Sequence, residues 1–247
     1  MTTERVAILG ATASIGRALA RQWAARGAAL ALSARDADEL RLLADDLHAR
    51  YGARPLEVPL DVTDLSAHAG AVQTIRQQLG PLTCAVLMFG DMGDPGADPA
   101  DPEHIARVVD VNFTALASLS EQLVGALQGG GRGVLVGVTS VAGDRGRASN
   151  YLYGASKAAA TAYLSGLRGR LQPQGIHVLT MKYGWIDTPM TFGLSTRLPV
   201  PSPESAAAAL LAAVAARRDV VYHPWFWRAI MSGIKAIPEP IFKRMRL

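Results

Sequence analysis

Ser140, Tyr153 and Lys157 are the residues of this chain whose types and spacing could do chemistry together. Lys157 follows Tyr153 by four positions, so on a helix the two lie one turn apart on the same face. A phenol with a pKa near ~10 is a poor acid or base at neutral pH. An ammonium group close by favours the phenolate and lowers that pKa. So tuned, Tyr153 could exchange a proton with an alcohol or carbonyl oxygen. A hydroxyl from Ser140 could hold that same oxygen by a hydrogen bond. Taken alone, Tyr153 and Lys157 are better described as an exposed pair on a helix surface, since that spacing often arises by chance.

The elements around them decide whether the three can meet. The β-branched run Val134 to Val138 reads as a buried strand, with Thr139 and Ser140 at its end. A turn containing glycine and arginine follows, and an alanine-rich helix starts near Ser149 or Asn150, either of which suits an N-cap. A parallel α/β sheet places its ligands outside the carboxyl ends of its strands. Ser140 at a strand end and Tyr153 near the next helix start can therefore converge on one crevice, with Thr139 as the runner-up hydroxyl.

The chain begins with a comparable unit. RVAIL at 5–9 reads as a strand, and GATASIG turns it into a helix carrying Leu19 and Trp23. Free backbone N–H groups and the helix dipole make such a turn a phosphate site. Gly10 would allow the tight turn, Gly16 the close packing of helix on sheet, and Ser14 could offer its hydroxyl to phosphate. Further strands are read at AALALS, PLEVPL, CAVLMFG, IHVLTMKYG and DVVYH, with helices over 37–51, 64–79 and 103–128 and from Ser202 or Pro203. The Pro/Gly/Asp-rich loop 91–104 is read as shaping substrate access or, equally, as solvated polar filler. Loop 189–201 is read as reading the substrate with it, and the aperiodic TFGLSTRLPVPSP at 191–203 as a lid.

Ser140, Tyr153-x-x-x-Lys157, Asn112 in DVNFTA and the N-terminal glycine turn together resemble the short-chain dehydrogenase/reductase family over roughly residues 4 to 222. The resemblance implies a single-domain, Rossmann-type, doubly wound α/β fold with a mostly parallel seven-stranded sheet flanked by helices. It implies reduction of a carbonyl to a secondary alcohol, or the reverse, with a nicotinamide cofactor. Asn112, Ser140, Tyr153 and Lys157 are the catalytic set it implies, with Tyr153 as acid or base and Asn112 extending a proton relay from Lys157. It places Gly10, Thr12, Ser14, Ile15 and Gly16 at the cofactor phosphates and Asp61 and Val62 at the adenine. Gly90 falls under the ribose, near Tyr153 and Lys157, and Gly184, Ile186 and Thr188 fall at the nicotinamide. The chain departs from the family pattern at Leu9, Ser14 and Tyr183, and at the end of CAVLMFG, where only Gly90 matches. A nucleotide-sensing protein without turnover is the alternative on the same fold.

Cofactor choice is read at the end of the second strand. An acid there would accept from a ribose 2′-hydroxyl, whereas an arginine accommodates a 2′-phosphate. Ala34 stands where the acid would be and Arg35 follows, with Arg17 as a second candidate charge. A carboxylate would repel the phosphate and none is present, so NADP(H) is preferred and NAD(H) is the lesser option.

At 49% hydrophobic and 19% charged, the chain reads as one globular domain without nucleic-acid motifs or metal-ligand spacing. Its one cysteine, Cys84, sits in an apolar run, which excludes an internal disulfide and fits the cytoplasm. The net charge of +4 belongs to the tail from Pro224 onward, whose five basic residues face one acid, Glu239. Residues 1–223 are read as the catalytic domain. Residues 224–247 are an amphipathic basic extension, a helix interrupted near Pro238, beside the substrate entrance. The tail resembles the ends of bacterial reductases of lipid-linked sugars, such as decaprenylphosphoryl 2-keto-pentose reductase. Its Trp225, Phe226 and Trp227 suit either peripheral contact with the inner face of a membrane or packing on the enzyme or a neighbouring subunit. A small-molecule or lipid-linked carbonyl substrate and a homodimer or homotetramer complete the expectations.

Overall fold

The structure, a computed structural model, describes residues 4–94, 96–127, 133–193 and 198–245. In chain order it runs β1 (Arg5–Leu9), α1 (Ser14–Ala24), β2 (Ala29–Ala34), α2 (Ala37–Tyr51), β3 (Leu56–Pro59), α3 (His68–Leu79) and β4 (Cys84–Leu87). It continues with α4 (Pro102–Val109), α5 (Ala115–Val124), β5 (Val134–Ser140), α6 (Tyr151–Leu171) and β6 (His177–Tyr183). The last elements are α7 (Pro203–Ala215), β7 (Val220–His223), α8 (Trp227–Ala236) and α9 (Glu239–Phe242). All seven strands pair in parallel in the order β3-β2-β1-β4-β5-β6-β7. The order reverses between β1 and β4, which opens a crevice at their carboxyl ends.

Both faces of the sheet are covered, which is why the central strands read as unbroken apolar runs. One core packs Leu19 and Trp23 of α1, Leu40 and Leu43 of α2 and Leu210 of α7 against Ile8, Val86, Val136 and Leu179. The other packs Ile75 of α3, Leu119 of α5 and Leu164 and Leu167 of α6 against Leu9, Leu87, Leu135 and Val178.

Several boundaries follow from local chemistry. Asp36 caps α2 by accepting from the amides of Asp38 and Glu39, and Gly52 ends it at φ 82°. The helix expected over 103–128 is instead two helices joined by a π-helical segment, Asp110–Thr114, and Gln128 lies outside the described residues. Asn112 accounts for the interruption, because its buried amide donates to the carbonyl oxygen of Val108. Asn150 is the N-cap of α6, but its side chain makes no capping bond, so the capping expected there is absent.

The tail breaks where expected, between α8 and α9 at Pro238. Its apolar face is turned inward. Trp227 and Met231 are buried with Val141, and Trp185, Tyr222, Phe226, Ile230 and Ile234 pack around them. Arg228, Lys235, Lys243 and Arg244 stay exposed, as does Trp225 at 79%. No helix among the described residues is long and apolar enough to cross a membrane.

Candidate active site

A cleft of about 380 Å³ opens at the carboxyl ends of β1, β4, β5 and β6. Ser140, Tyr153 and Lys157 all line it, together with Thr12, Ser14, Ile15, Gly90, Gly184, Ile186 and Thr188 from the sequence-derived set. Gly10 and Gly16 build its floor without lining it. Gly10 has φ +90°, and a Cβ there would stand 2.8 Å from the Met88 carbonyl. A Cβ on Gly16 would stand 2.5 Å from the Gly10 carbonyl oxygen. Only glycine lets the turn pass the end of β4 and α1 pack on the turn this closely, and the resulting cradle fits a dinucleotide phosphate group.

Ser140 ends β5, and its hydroxyl accepts from the Ala142 amide at 3.1 Å, starting the 3-10 turn Val141–Asp144. That turn is pressed onto α6, since a Cβ on Gly143 would lie 2.7 Å from the Lys157 carbonyl carbon and the Ala158 nitrogen. Lys157 is buried, with Nζ 3.4 Å from the Phe89 carbonyl oxygen and 3.5 Å from that of Val138. Burial lowers its pKa to about 8. Nζ lies 5.9 Å from the centre of the Tyr153 ring. Burial pushes the Tyr153 phenol above its ordinary value, and a hydrogen bond with Ser140 opposes that rise. The lowering expected from Lys157 is thus not what dominates here. The ammonium is turned to the main-chain carbonyls, so burial sets the direction.

Asn112 stands behind this group. Its Nδ2 donates to the Asp91 carbonyl at 2.6 Å, and its Oδ1 accepts from the Asp91 amide at 3.1 Å. The amide is therefore both the helix-bending group and the anchor of the loop that follows β4.

Arg35, Asp61 and Val62 do not line the cleft; they lie along the sheet at the ends of β2 and β3. Hydrogen bonds from the Thr63 amide and hydroxyl hold the Asp61 carboxyl below its ordinary pKa, with a smaller contribution from the charge of Arg35. Arg35 is exposed. Arg17 is not a second free charge, because its guanidinium bonds the Thr12 carbonyl and pairs with Glu39. Thr188 begins a short 3-10 turn, where it and Thr191 cap each other. Met190 lines the cleft, whereas residues 194–197 of the expected lid lie outside the described residues.

Met88, Phe89 and Gly143 were not singled out by the sequence. Met88 and Phe89 sit in an apolar run indistinguishable from core, and Gly143 is recognised only by what it touches across space. Among the described residues, no three of His, Cys, Asp and Glu cluster as a metal site would need.

A model of the short chain dehydrogenase family matches residues 4–198. An uncharacterized oxidoreductase of Mycobacterium tuberculosis is 35% identical over 240 residues, covering 97% of this chain and 96% of that one. A Streptomyces coelicolor protein described in the same words is 34% identical over 239 residues, covering 96% and 94%. Among solved structures, a short-chain dehydrogenase from Sphingobium yanoikuyae in complex with NADPH superposes with a TM-score of 0.80. It is 26% identical, with 98% of this chain and 96% of that one covered.

Proposed function

The chain belongs to the short chain dehydrogenase family, and on that premise we propose that it is an NADP(H)-dependent oxidoreductase interconverting a carbonyl and a secondary alcohol. The observation that carries this reading is the single cleft in which Ser140, Tyr153 and Lys157 meet the Gly10 turn. Bound there, the cofactor supplies the hydride.

Thr12, Ser14 and Ile15 hold the cofactor phosphates on the N-terminus of α1. Asp61 and Val62 contact the adenine, and Gly90, Tyr153 and Lys157 surround the ribose. Gly184, Ile186 and Thr188 hold the nicotinamide. Arg35 meets the 2′-phosphate, and the absence of an acid at Ala34 supports NADP(H) over NAD(H). That the Sphingobium relative was solved with NADPH supports the same choice.

In reduction, Tyr153 gives its phenolic proton to the carbonyl oxygen, and Ser140 donates a hydrogen bond to that oxygen. Lys157 stabilises the phenolate that remains, and Asn112 extends the path by which Tyr153 regains its proton. Oxidation runs the same steps in reverse.

Met88, Val138, Ile186 and Met190 make the cleft largely apolar, which supports a hydrophobic keto substrate, a lipid-linked keto-sugar among them. The exposed Ile105 and Tyr151, on α4 and α6, support assembly as a homodimer or homotetramer. With α8's apolar face turned inward, peripheral membrane contact falls to Trp225 and the exposed basic residues. The single buried Cys84 fits a cytoplasmic enzyme.

The test is NADPH oxidation, followed by absorbance, over a panel of ketones, keto esters and keto acids. Tyr153→Phe should still bind NADPH, less tightly by whatever its hydroxyl gives the ribose, and lose on the order of 10²-fold or more in turnover. A Tyr153→Phe enzyme with wild-type turnover would overturn the assignment.

A further inference from the structure

The tail is bound to the enzyme at two places, and both adjoin the catalytic cleft. The first is Arg145, five positions after Ser140, the end of β5. Its guanidinium donates to the carbonyl oxygens of Ile234 and Ile237 at 2.6 Å each and to that of Lys235 at 3.3 Å. It also pairs with Glu239 at 2.8 Å and lies 3.7 Å from the centre of the Phe242 ring. Helix ends leave their last carbonyls short of partners; here Ile234 accepts from the Ile237 amide at 3.3 Å, and Arg145 adds its own bonds to the C-terminal end of α8 as a cap. It joins α8 to α9 across the Pro238 break.

The second place is Gly184. The Trp227 indole lies against it so closely that a Cβ there would stand 2.0 Å from Nε1. Trp185 packs edge-on against the same indole, with ring centres 5.4 Å apart. Gly184 lines the cleft on the β6 side, as Ser140 does on the β5 side.

Between the two places lies the turn Val141–Asp144. Val141 is buried against Trp227 and Met231, and Asp144 is tied to Lys182 and, at 2.8 Å, to the Tyr222 hydroxyl. On its other side Gly143 rests on the main chain of Lys157. An unbroken series of contacts thus runs from α8 through this turn to Ser140 and Lys157.

We propose that Arg145 is a positioning residue and that the C-terminal tail is a brace, setting the spacing of the two cleft walls that carry Ser140 and Gly184. The proposal rests on reading the cleft as catalytic, but the brace itself is measurable without turnover. Arg145 does not line the cleft. It acts by holding α8, which holds both walls, and small displacements of catalytic groups are costly in rate.

The experiment uses the full-length chain as Arg145→Ala, Arg145→Lys, Phe242→Ala and Glu239→Gln. Hydrogen exchange is read by segment, NADPH affinity by fluorescence, and turnover by NADPH oxidation on the carbonyl panel. Arg145→Ala should speed exchange about tenfold or more in 141–146 and 183–187, leaving β1 and α1 unchanged. Turnover should fall about tenfold or more, with NADPH affinity kept within about twofold. Arg145→Lys should restore part of both losses, because an ammonium can still donate to the carbonyls. Phe242→Ala should give the same pattern more weakly, and it carries the test if Arg145→Ala does not fold. Glu239→Gln should change little, since its pair with Arg145 is exposed on the acid's side.

Unchanged exchange in both segments, or wild-type turnover in Arg145→Ala, would overturn the brace. So would an equal loss of NADPH affinity and turnover, which marks general destabilisation. A wild-type chain inactive on every carbonyl would instead sink the catalytic reading, leaving the exchange result to decide the brace.

Discussion

The Lys157 ammonium and the Asn112 amide oxygen face each other across the backbone of Gly90. A Cβ on that glycine would stand 3.0 Å from Nζ and 3.1 Å from Oδ1. Gly90 is the residue at this strand end that matches the family pattern, and the contact accounts for a glycine there. Gly90 is where the main chain passes between the two polar groups, so that a side chain there would have to push one of them aside.

Gly90→Ala should therefore displace Lys157 or Asn112 by a few tenths of an ångström rather than unfold the chain. The expected outcome is a fall in turnover of about tenfold with little change in melting temperature. Gly70→Ala, at a helix position with open space around it, is the matched control. Equal turnover in the two variants would show that the Gly90 contact has no bearing on the reaction.

Asn112 holds three main-chain groups at once: the Asp91 amide, the Asp91 carbonyl and the Val108 carbonyl. Truncation leaves buried groups without partners at about 1–3 kcal/mol for each that finds none. Asn112→Ala should accordingly destabilise the chain by about 2 kcal/mol or more in a denaturant titration, besides slowing turnover. Retention of full stability would mean that water or a shifted backbone replaces all three bonds.

That Ser140, Tyr153 and Lys157 would meet in one cleft was legible because their spacing survives in one dimension. Tyr153 and Lys157 fall one turn apart on α6, and Ser140 closes a strand of β-branched residues. The bounds of β1 and α2 were legible too, since apolar runs and an aspartate cap end them sharply. The π-helical segment was not, because a single extra residue per turn leaves helical periodicity almost intact. The tail shows the other limit. Its periodicity and Pro238 announce an interrupted amphipathic helix, yet an apolar face has the same pattern whether it meets lipid or protein. In the folded chain that face packs on Val141 and Gly184, with Arg145 at the helix end, residues that only the fold brings near. The direction of the Tyr153 shift was hidden for a related reason, since spacing says nothing of where Nζ is turned.

Arg35 offers a sharper test of cofactor choice. It is exposed at the end of β2, and Arg17 is engaged with Glu39, so Arg35 is the cation expected to meet a 2′-phosphate. Arg35→Ala should weaken NADPH binding by about ten- to a hundredfold, the worth of a charge-assisted contact of about 1.5–3 kcal/mol. NADH binding should hardly change. Equal losses for both cofactors would remove Arg35 as the discriminator.

Lys157 makes a prediction about stability as well as catalysis. Its folded-state pKa of about 8 lies below the 10.5 of a free lysine, because burial penalises the ammonium. The folded state therefore binds fewer protons than the unfolded one between those two values. Stability rises with pH across that window, and below about pH 8 the full penalty of burying the charge is present. Lys157→Met keeps a similar length without the charge. It should abolish turnover yet raise stability at pH 7 by on the order of 1–3 kcal/mol, the exchange of function for stability expected at a site built around a buried cation. The gain should shrink steadily as the pH is raised from 8 through 10.5, and vanish only above that, where the wild-type lysine is neutral in both states. Denaturant titrations of the two chains at a series of pH values measure this directly. If Lys157→Met were the less stable chain at pH 7, the Phe89 and Val138 carbonyls would more than offset the burial of the ammonium. Lys157 would then be a structural cation first and a catalytic one second.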